Sequence, residues 1–390
     1  MTAIAKNRIE SIDLLKGLVM VLMALDHVRD YFHYSVFMFD ATDLTKTTAP
    51  IFFTRFITHF CAPAFSFLAG ISAFMIGKKK TLSELSSFLF KRGLWLIFIE
   101  VTIVSFGWHF DPEFRRIPLQ VIWVLGASMI VLAGLIHLPK KIILVISLII
   151  LFGHNLLDNI DIKDNFVWSI LHQRNTHYIN ETQYIGVAYT LLPWIAVMSL
   201  GYCFGSLYNS NFDAHKRKRI LNGLGIGSML LFFILIAFNT YGDPVKWTNY
   251  GFTIKTVMSI FNVSKYPASL LYLLITLAAT FLFLANVEKW KGKIVNFFCV
   301  FGRVPFFYYI IHLYLIHFLA LFAAEFTGFG WQSMILPKFV SRVEALKGYG
   351  FNLITVYVIW IVVILLLYPI CKKFDKYKQS HKEKWWLSYL

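Results

Sequence analysis

"KGLVMVLMALDHVRDYFHY", Lys16 to Tyr34, decides how the whole 390-residue chain is read. Its first half is Leu, Val and Met, the make-up of a membrane span. Within the next turn it carries Asp26, His27, Arg29 and Asp30, with His33 close behind. The rest of the chain identifies the solvent. Hydrophobic residues make up 58% and charged residues only 15%, against roughly 25% charged in a soluble protein, and the mean hydropathy is +0.63. Apolar runs of about 20 residues, the length that crosses a bilayer, recur from end to end. The expected fold class is therefore all-α, a polytopic integral membrane protein.

About ten transmembrane helices follow from the pattern, near residues 12–34, 51–77, 92–110, 117–137, 141–157, 187–208, 218–240, 265–287, 296–324 and 350–371. Basic clusters occupy alternate connections: Lys78 to Lys80, Lys91 with Arg92, Lys140 with Lys141, Lys216 to Arg219, Lys289 to Lys293, and the tail. With the N-terminus inside, all of them face the cytoplasm, as the positive-inside rule requires, and both termini are cytoplasmic. That pattern accounts for the net charge of +16 without a nucleic-acid partner. Lys6 and Arg8 precede a first span too long, and too polar at its end, for a cleavable signal. Residues 81–90 read as an amphipathic cytoplasmic helix leading into the third span. Outer loops at 158–186, 242–264 and 328–348 hold Arg174, His177, Asn180, Trp247, Tyr250, Trp331 and Arg342; loops of this length either shape a substrate mouth or simply connect spans. One domain, 1–390, is expected, ending in a basic tail at 372–390. The four cysteines lie in or beside apolar segments without CxxC spacing and read as buried thiols.

Ionisable groups in a membrane cost roughly 2.5 to 3.5 kcal/mol each on insertion scales, so they mark function. Lys16 and His27 are 27 − 16 = 11 positions apart, about three turns, and share a helical face. Asp30 follows His27 by three positions, within reach of its imidazole, while Asp26, Arg29 and His33 form an adjacent stripe. A histidine oriented by a carboxylate is a competent general base. Read instead as interfacial pairs, Asp26, Arg29 and Asp30 would neutralise one another, but this leaves His27 too deep to explain. In the second span Arg55 and His59 share a face at similar depth, and Pro63 is expected to bend the helix. The ninth span brings Arg303 and Pro305 near the cytoplasmic end, then Tyr309 and His312; His317 lies about 140° around the helix from His312, in a separate site. Arg303 suits an anionic cofactor or snorkels to lipid phosphate. Glu100 is a buried carboxylate whose partner the sequence does not reveal. No HxxxH, HExxH or CxxCH occurs, so no metal is expected.

"RIESIDLLKGLVMVLMALDHVRDYF", "TRFITHFCAPAFSFLAGISAFM", "LQVIWVLGASMIVLAGL", "YTLLPWIAVMSLGYCFG" and "FGRVPFFYYIIHLYLIH" together resemble the bacterial branch of the heparan-alpha-glucosaminide N-acetyltransferase catalytic-domain family. The first is also similar to the wider acyltransferase-three membrane family, which spaces a basic residue and a histidine by eleven positions. The resemblance implies an acyltransferase of the bacterial inner membrane. Acetyl-CoA or another acyl-CoA would enter from the cytoplasm, and the acyl group would pass to a hydroxyl or amine of an extracytoplasmic glycan or small-molecule acceptor. His27 matches the wider family's catalytic histidine and Lys16 its basic partner, although Lys stands where arginine is usual. In the animal enzymes the position of His27 is Asn and the active histidine comes later, so His33 is the second choice. No counterpart of their luminal domain is expected, nor heparan itself as acceptor. The site expected is thus His27 as base or acyl carrier, Asp30 or Asp26 orienting it, Arg29, Arg55, His59, Tyr309 and His312 on the acceptor side, and Lys16 with Arg303 for the anionic cofactor. A homodimer fits such a domain as well as a monomer does. The other classes in play are a transporter or flippase that uses the charged stripe as its path, and a b-type haem protein with histidine ligands.

Overall fold

The computed structural model describes residues 9–388; Lys6 and Arg8 lie outside them. Helix α1 (Glu10–Phe32) is the axis, with nineteen of its 23 residues buried, so its charged stripe faces protein rather than lipid. Helices α2 (Ala49–Ile57) and α3 (Cys61–Gly77) form one bent rod through a 3-10 turn at Thr58–Phe60. Helix α4 (Leu82–Ile99) continues through a π turn, Glu100–Val104, into α5 (Ser105–His109). Then come α6 (Val121–Leu135), α7 (Lys140–Gly153), the short α8 (Phe166–Leu171), α9 (Leu191–Phe204), α10 (Ala214–Phe238), the short α11 (Ile254–Phe261), α12 (Leu270–Asn286), α13 (Lys293–Arg303), α14 (Pro305–Phe326) and α15 (Leu353–Ser380).

Among the described residues, six helical stretches are long and apolar enough to cross a membrane: Ala49–Gly77, Lys140–Leu157, Leu191–Tyr208, Ala214–Phe238, Pro305–Phe326 and Leu353–Ser380; α6 and α12 are shorter apolar helices. On α10 and α15 most residues lie outside the core, and many of the exposed ones are large and apolar, among them Leu230, Phe238, Ile354 and Leu365. That is the surface a lipid environment favours.

Four expectations change. The chain is not purely helical: β1 (Arg116–Leu119), β2 (Asn175–Tyr178) and β3 (Tyr184–Val187) form a sheet in the order β1-β3-β2, with β1 parallel and β2 antiparallel to β3. Strands of four residues are too short for an alternating pattern to declare itself. The helix expected over residues 81–90 is present, but it runs without a break into the third span as α4, opened by a capping box between Thr81 and Glu84. The ninth span is two helices, because Val304 precedes a proline, leaves the helical region (φ −131°, ψ 49°) and lets Pro305 start α14. The first part of the basic tail continues α15 to Ser380.

Glycine contacts set the crossings. A Cβ on Gly17 of α1 would lie 1.8 Å from the Phe298 carbonyl oxygen of α13, and one on Gly302 would lie 1.8 Å from that of Asp13. The two backbones touch, which only small residues allow. All four cysteines are buried free thiols. Glu100 opens the π turn and accepts hydrogen bonds from the backbone N–H groups of Gln120 (3.1 Å) and Trp123 (3.2 Å). It thereby satisfies donors that the start of α6 would otherwise leave unpaired.

Candidate active site

A cavity of about 1070 Å³ opens beside the C-terminal half of α1. Met23, Cys61 and Ala62 form its deep end, with Asp26, His27, Arg29, Asp30, Arg55 and His59 above them. The sheet contributes Arg116, Thr176, Tyr184 and Gly186, and the loops after α1, α11 and α14 complete the wall. The outer loops thus shape the mouth.

His27 is 7% exposed and sits on the cavity wall. Its Nδ1 lies 2.8 Å from Nε2 of His312, and the two rings are nearly parallel, at 11°. His312 Nδ1 lies 2.8 Å from the Tyr308 carbonyl oxygen, so it carries the proton there. In a neutral imidazole the other nitrogen is then an acceptor. His312 Nε2 therefore accepts from His27 Nδ1–H, and the lone pair of His27 is on Nε2. The sequence offers Asp30 or Asp26 as the orienting group; in the structure the imidazole meets His312 instead, while Asp30 is held by Arg29 Nη2 at 2.7 Å and Asp26 by Arg55. His312 also does not line the cavity as an acceptor-side residue. It acts from behind His27.

The carboxylates have their own network. Arg55 Nη1 donates to both oxygens of Asp26, at 2.8 and 2.7 Å. Arg29 Nη2 is 3.1 Å from Asp26 and Lys265 Nζ is 3.8 Å. Arg29, shared between Asp26 and Asp30, leaves Nε and Nη1 buried without an acceptor. Lys265 was missed because it falls where a loop meets the eighth span, and its place opposite Asp26 depends on a contact 239 positions away.

Two more rings meet His27: Tyr309, expected on the acceptor side, and Trp108, which the sequence did not connect to it. The Trp108 ring lies 4.6 Å from the imidazole, edge-on, and that of Tyr309 6.2 Å. The Trp108 indole nitrogen and the Tyr309 hydroxyl are buried next to each other on the cavity wall, too poorly aligned to satisfy one another fully. Buried unpaired donors beside a cavity mark where a ligand's oxygen would sit. Trp108 follows the π turn, whose wider turn shifts the faces of the residues after it.

His59 also faces the cavity, with Nδ1 unpaired. The bend expected at Pro63 lies at the 3-10 turn before it. Proline at 63 has no N–H for the His59 carbonyl, and Tyr272 Oη donates to that oxygen instead, at 2.9 Å.

Besides His312, three more expected site residues fall outside the cavity wall. His33 is fully buried; its Nδ1 lies 2.6 Å from Ser35 Oγ and accepts from the Ser35 N–H, capping the 3-10 turn Tyr34–Phe37. Lys16 Nζ donates to Ser72 Oγ of α3 at 2.9 Å. Arg303 binds Asp375 of α15 at 2.7 Å. His317, as expected, belongs to a separate site, bonding the carbonyls of Gly107 and Met334. His27 and His312 bond to each other rather than flank a gap, an arrangement that does not suit this pair as two axial haem ligands. Among the described residues no three His, Cys, Asp or Glu side chains converge as metal ligands.

Comparison with known proteins adds one finding. The family model described as "Heparan-alpha-glucosaminide N-acetyltransferase, catalytic" matches residues 8–238. No curated protein matches the chain.

Proposed function

The chain belongs to the heparan-alpha-glucosaminide N-acetyltransferase catalytic family, and on that premise we propose that it moves an acetyl or other acyl group from acyl-CoA to a hydroxyl or amine of an extracytoplasmic glycan-type acceptor. The family carries membrane acyltransferase chemistry in general; donor, acceptor and residue roles are our reading. The observation that supports it most is the chain Tyr308 C=O, His312, His27, which points the His27 lone pair at Nε2 on the wall of a polar cavity.

In this mechanism His27 Nε2 takes the proton from the acceptor's O–H or N–H as that atom attacks the thioester carbonyl carbon. The positive charge that forms on His27 is relieved when the imidazolium returns the proton to the departing CoA thiolate. The products are the acylated acceptor and free CoA. Trp108 N–H and Tyr309 O–H stand where the carbonyl oxygen would gather charge, and preorganised donors at such a point are among the largest catalytic effects. Arg29, through its two unpaired nitrogens, and His59 serve the acceptor. Asp26 and Asp30 hold the arginines in place rather than touching His27. His33, committed to Ser35, is not the base.

The acyl-CoA arm enters from the cytoplasmic side along the seam between α1 and α3. Lys16 and Ser72 join that seam at one end and Met23, Cys61 and Ala62 end it at the cavity. Arg303 is engaged by Asp375 and is left out of the cofactor site. Both termini are placed in the cytoplasm of a bacterial cell, in its inner membrane. In support, Lys291 pairs with Glu10 at the start of α1, and Arg217 pairs with Glu288, so basic clusters from distant connections gather at the end opposite the cavity. A translocation path is not favoured, because Asp26, Arg29 and Asp30 are tied to one another and to Arg55 and Lys265.

Turnover of acetyl-CoA by detergent-purified protein tests the reading, with thiol release as the measured quantity. Wild-type protein that neither binds nor cleaves acetyl-CoA ends it. Full turnover by His27→Ala ends the assignment of the base.

A further inference from the structure

Not every cation around the cavity belongs to the Asp26 network. Arg116 at the start of β1, Arg174 just before β2 and Arg342 in the loop after α14 all line its mouth, and among the described residues none of them forms an ion pair with a carboxylate. The contrast with the neighbouring residue is sharp. Arg115 donates through Nε and Nη2 to the two oxygens of Asp111, at 2.9 and 3.0 Å. Arg116 instead turns into the cavity. Its guanidinium reaches His109 Nε2 at 3.1 Å, lies 5.2 Å from the centre of the Phe339 ring, and packs over Gly186, where a Cβ would stand 3.4 Å from its Nε. Phe339 accepts a backbone hydrogen bond from Arg342 at 2.8 Å, which ties the third arginine to the same wall. Arg174 sits over the Tyr266 ring at 5.6 Å and enters through the sheet, since β2 and β1 flank β3. The acid at this rim, Asp40, is turned to its own loop, accepting from Thr42 N–H and Oγ1 at 2.9 and 2.8 Å.

The geometry points to a subsite in which Arg116, Arg174 and Arg342 bind an oxyanion, a carboxylate or a sulfate or phosphate ester, carried by the acceptor. Planar guanidinium forks are suited to such groups. Burial first, and then the charges of Arg342 and Arg174 opposed by Tyr184, hold the Arg116 pKa down to about 10; a bound anion relieves that mutual repulsion. The naming of an acidic acceptor rests on the acyltransferase reading, but the anion site does not. Arg342 also lies beyond the residues matched by the family model, so the subsite is built partly from a segment that the match does not reach. The phosphates of CoA carry the same chemistry and are the other source of an anion here.

The test is calorimetric titration of the detergent-purified full chain with glucose 6-sulfate, glucose and coenzyme A. Glucose 6-sulfate is expected to bind at least about tenfold tighter than glucose, the margin of one charge-assisted hydrogen-bonded contact. Arg116→Gln with Arg342→Gln is expected to erase that margin, and the exposed Arg174→Gln, which leaves the sheet intact, to halve it or more. Equal binding of the two sugars to the wild type, with coenzyme A affinity unchanged in the double variant, overturns the subsite, as does a double variant that keeps the sulfate margin. If the double variant loses coenzyme A affinity and the wild type ignores the sulfate, the acceptor assignment is overturned and the anion is the donor's. If the sulfate margin stands while acetyl-CoA is never cleaved, the subsite survives and the transferase reading fails.

Discussion

The two ends of α1 are both buried, and for opposite reasons. Around Gly17 the helix is pressed backbone to backbone on α13, with a methyl's worth of space denied by the Phe298 carbonyl. Around His27 it faces a cavity, and its polar side chains are engaged by α2, α14 and the loop at Lys265. The inner end is held by the absence of side chains and the outer end by paired side chains. A rigid anchor at one end is what keeps an imidazole in register with a partner on another helix at the other.

The largest effect is expected at the anchor. Gly17→Ala puts a carbon 1.8 Å from a backbone oxygen, which no rotamer change relieves. The crossing must open, at a cost of about 3 kcal/mol or more, the upper end for overpacking. Size-exclusion chromatography in detergent should show little monodisperse protein. A well-behaved Gly17→Ala protein would mean that α1 and α13 are not in such contact.

At the outer end, His27→Ala should fold and lose about 10³-fold in acetyl transfer, within the range for a general base. Single-turnover thiol release measures it. Asp26→Asn removes the centre of the ion network and leaves Arg55, Arg29 and Lys265 facing one another. A thermal melt should show a loss of about 3–5 kcal/mol, the usual result of orphaning buried charge. Adding Arg55→Gln should restore part of it. If the double variant melts no higher than Asp26→Asn alone, the Arg55 pairing is not the interaction that Asp26 supplies.

The comparison also explains what the sequence made legible. The long apolar helices came through, because apolar runs and basic punctuation are local, whereas the short α8 and α11 and the break at Val304 did not. So did the choice of His27, Asp26, Arg29, Arg55 and His59 as neighbours, because helical periodicity places them at one depth. What did not come through was pairing. Asp30 lies one turn beyond His27 and was assigned to it, yet Arg29 is nearer to Asp30, and His312, 285 positions away, takes the imidazole. Lys16 and Arg303 looked like a matched pair of cofactor cations, but Asp375 waits for Arg303 near the end of α15, in a tail read only as basic. Trp108 carried no signal at all, since one more aromatic among 39 Phe and 11 Trp is unremarked until a π turn re-aims it.

His312 gives a smaller effect with a sharper reading. Leucine there leaves His27 Nδ1–H without an acceptor, and the ring is free to turn or to move its proton to Nε2. A fall of about 10²-fold in kcat with KM for acetyl-CoA unchanged is expected, as for other groups that orient a functional histidine. His312→Gln keeps an acceptor oxygen and should recover to within about tenfold of wild type. If leucine and glutamine behave alike, the contact matters for packing and not for the tautomer.

Lys16 separates a mouth from a seam, and its effect is the smallest. Its ammonium donates to Ser72, whose hydroxyl in turn donates to the Leu68 carbonyl at 2.7 Å, so Lys16→Met removes one link of a helix-to-helix chain, worth about 1 kcal/mol. If the seam between α1 and α3 is only structural, the melt moves by that amount and the kinetics stay put. If the phosphates of acyl-CoA arrive there, KM for acetyl-CoA rises about three- to tenfold at low salt and the difference shrinks as salt screens the charge. Lys16→Arg should then hold KM near wild type, because a guanidinium offers the same charge and more donors to a phosphate. A KM that ignores both substitution and salt would leave the inner end of α1 with packing as its whole task, and the acyl donor would have to reach His27 by another face.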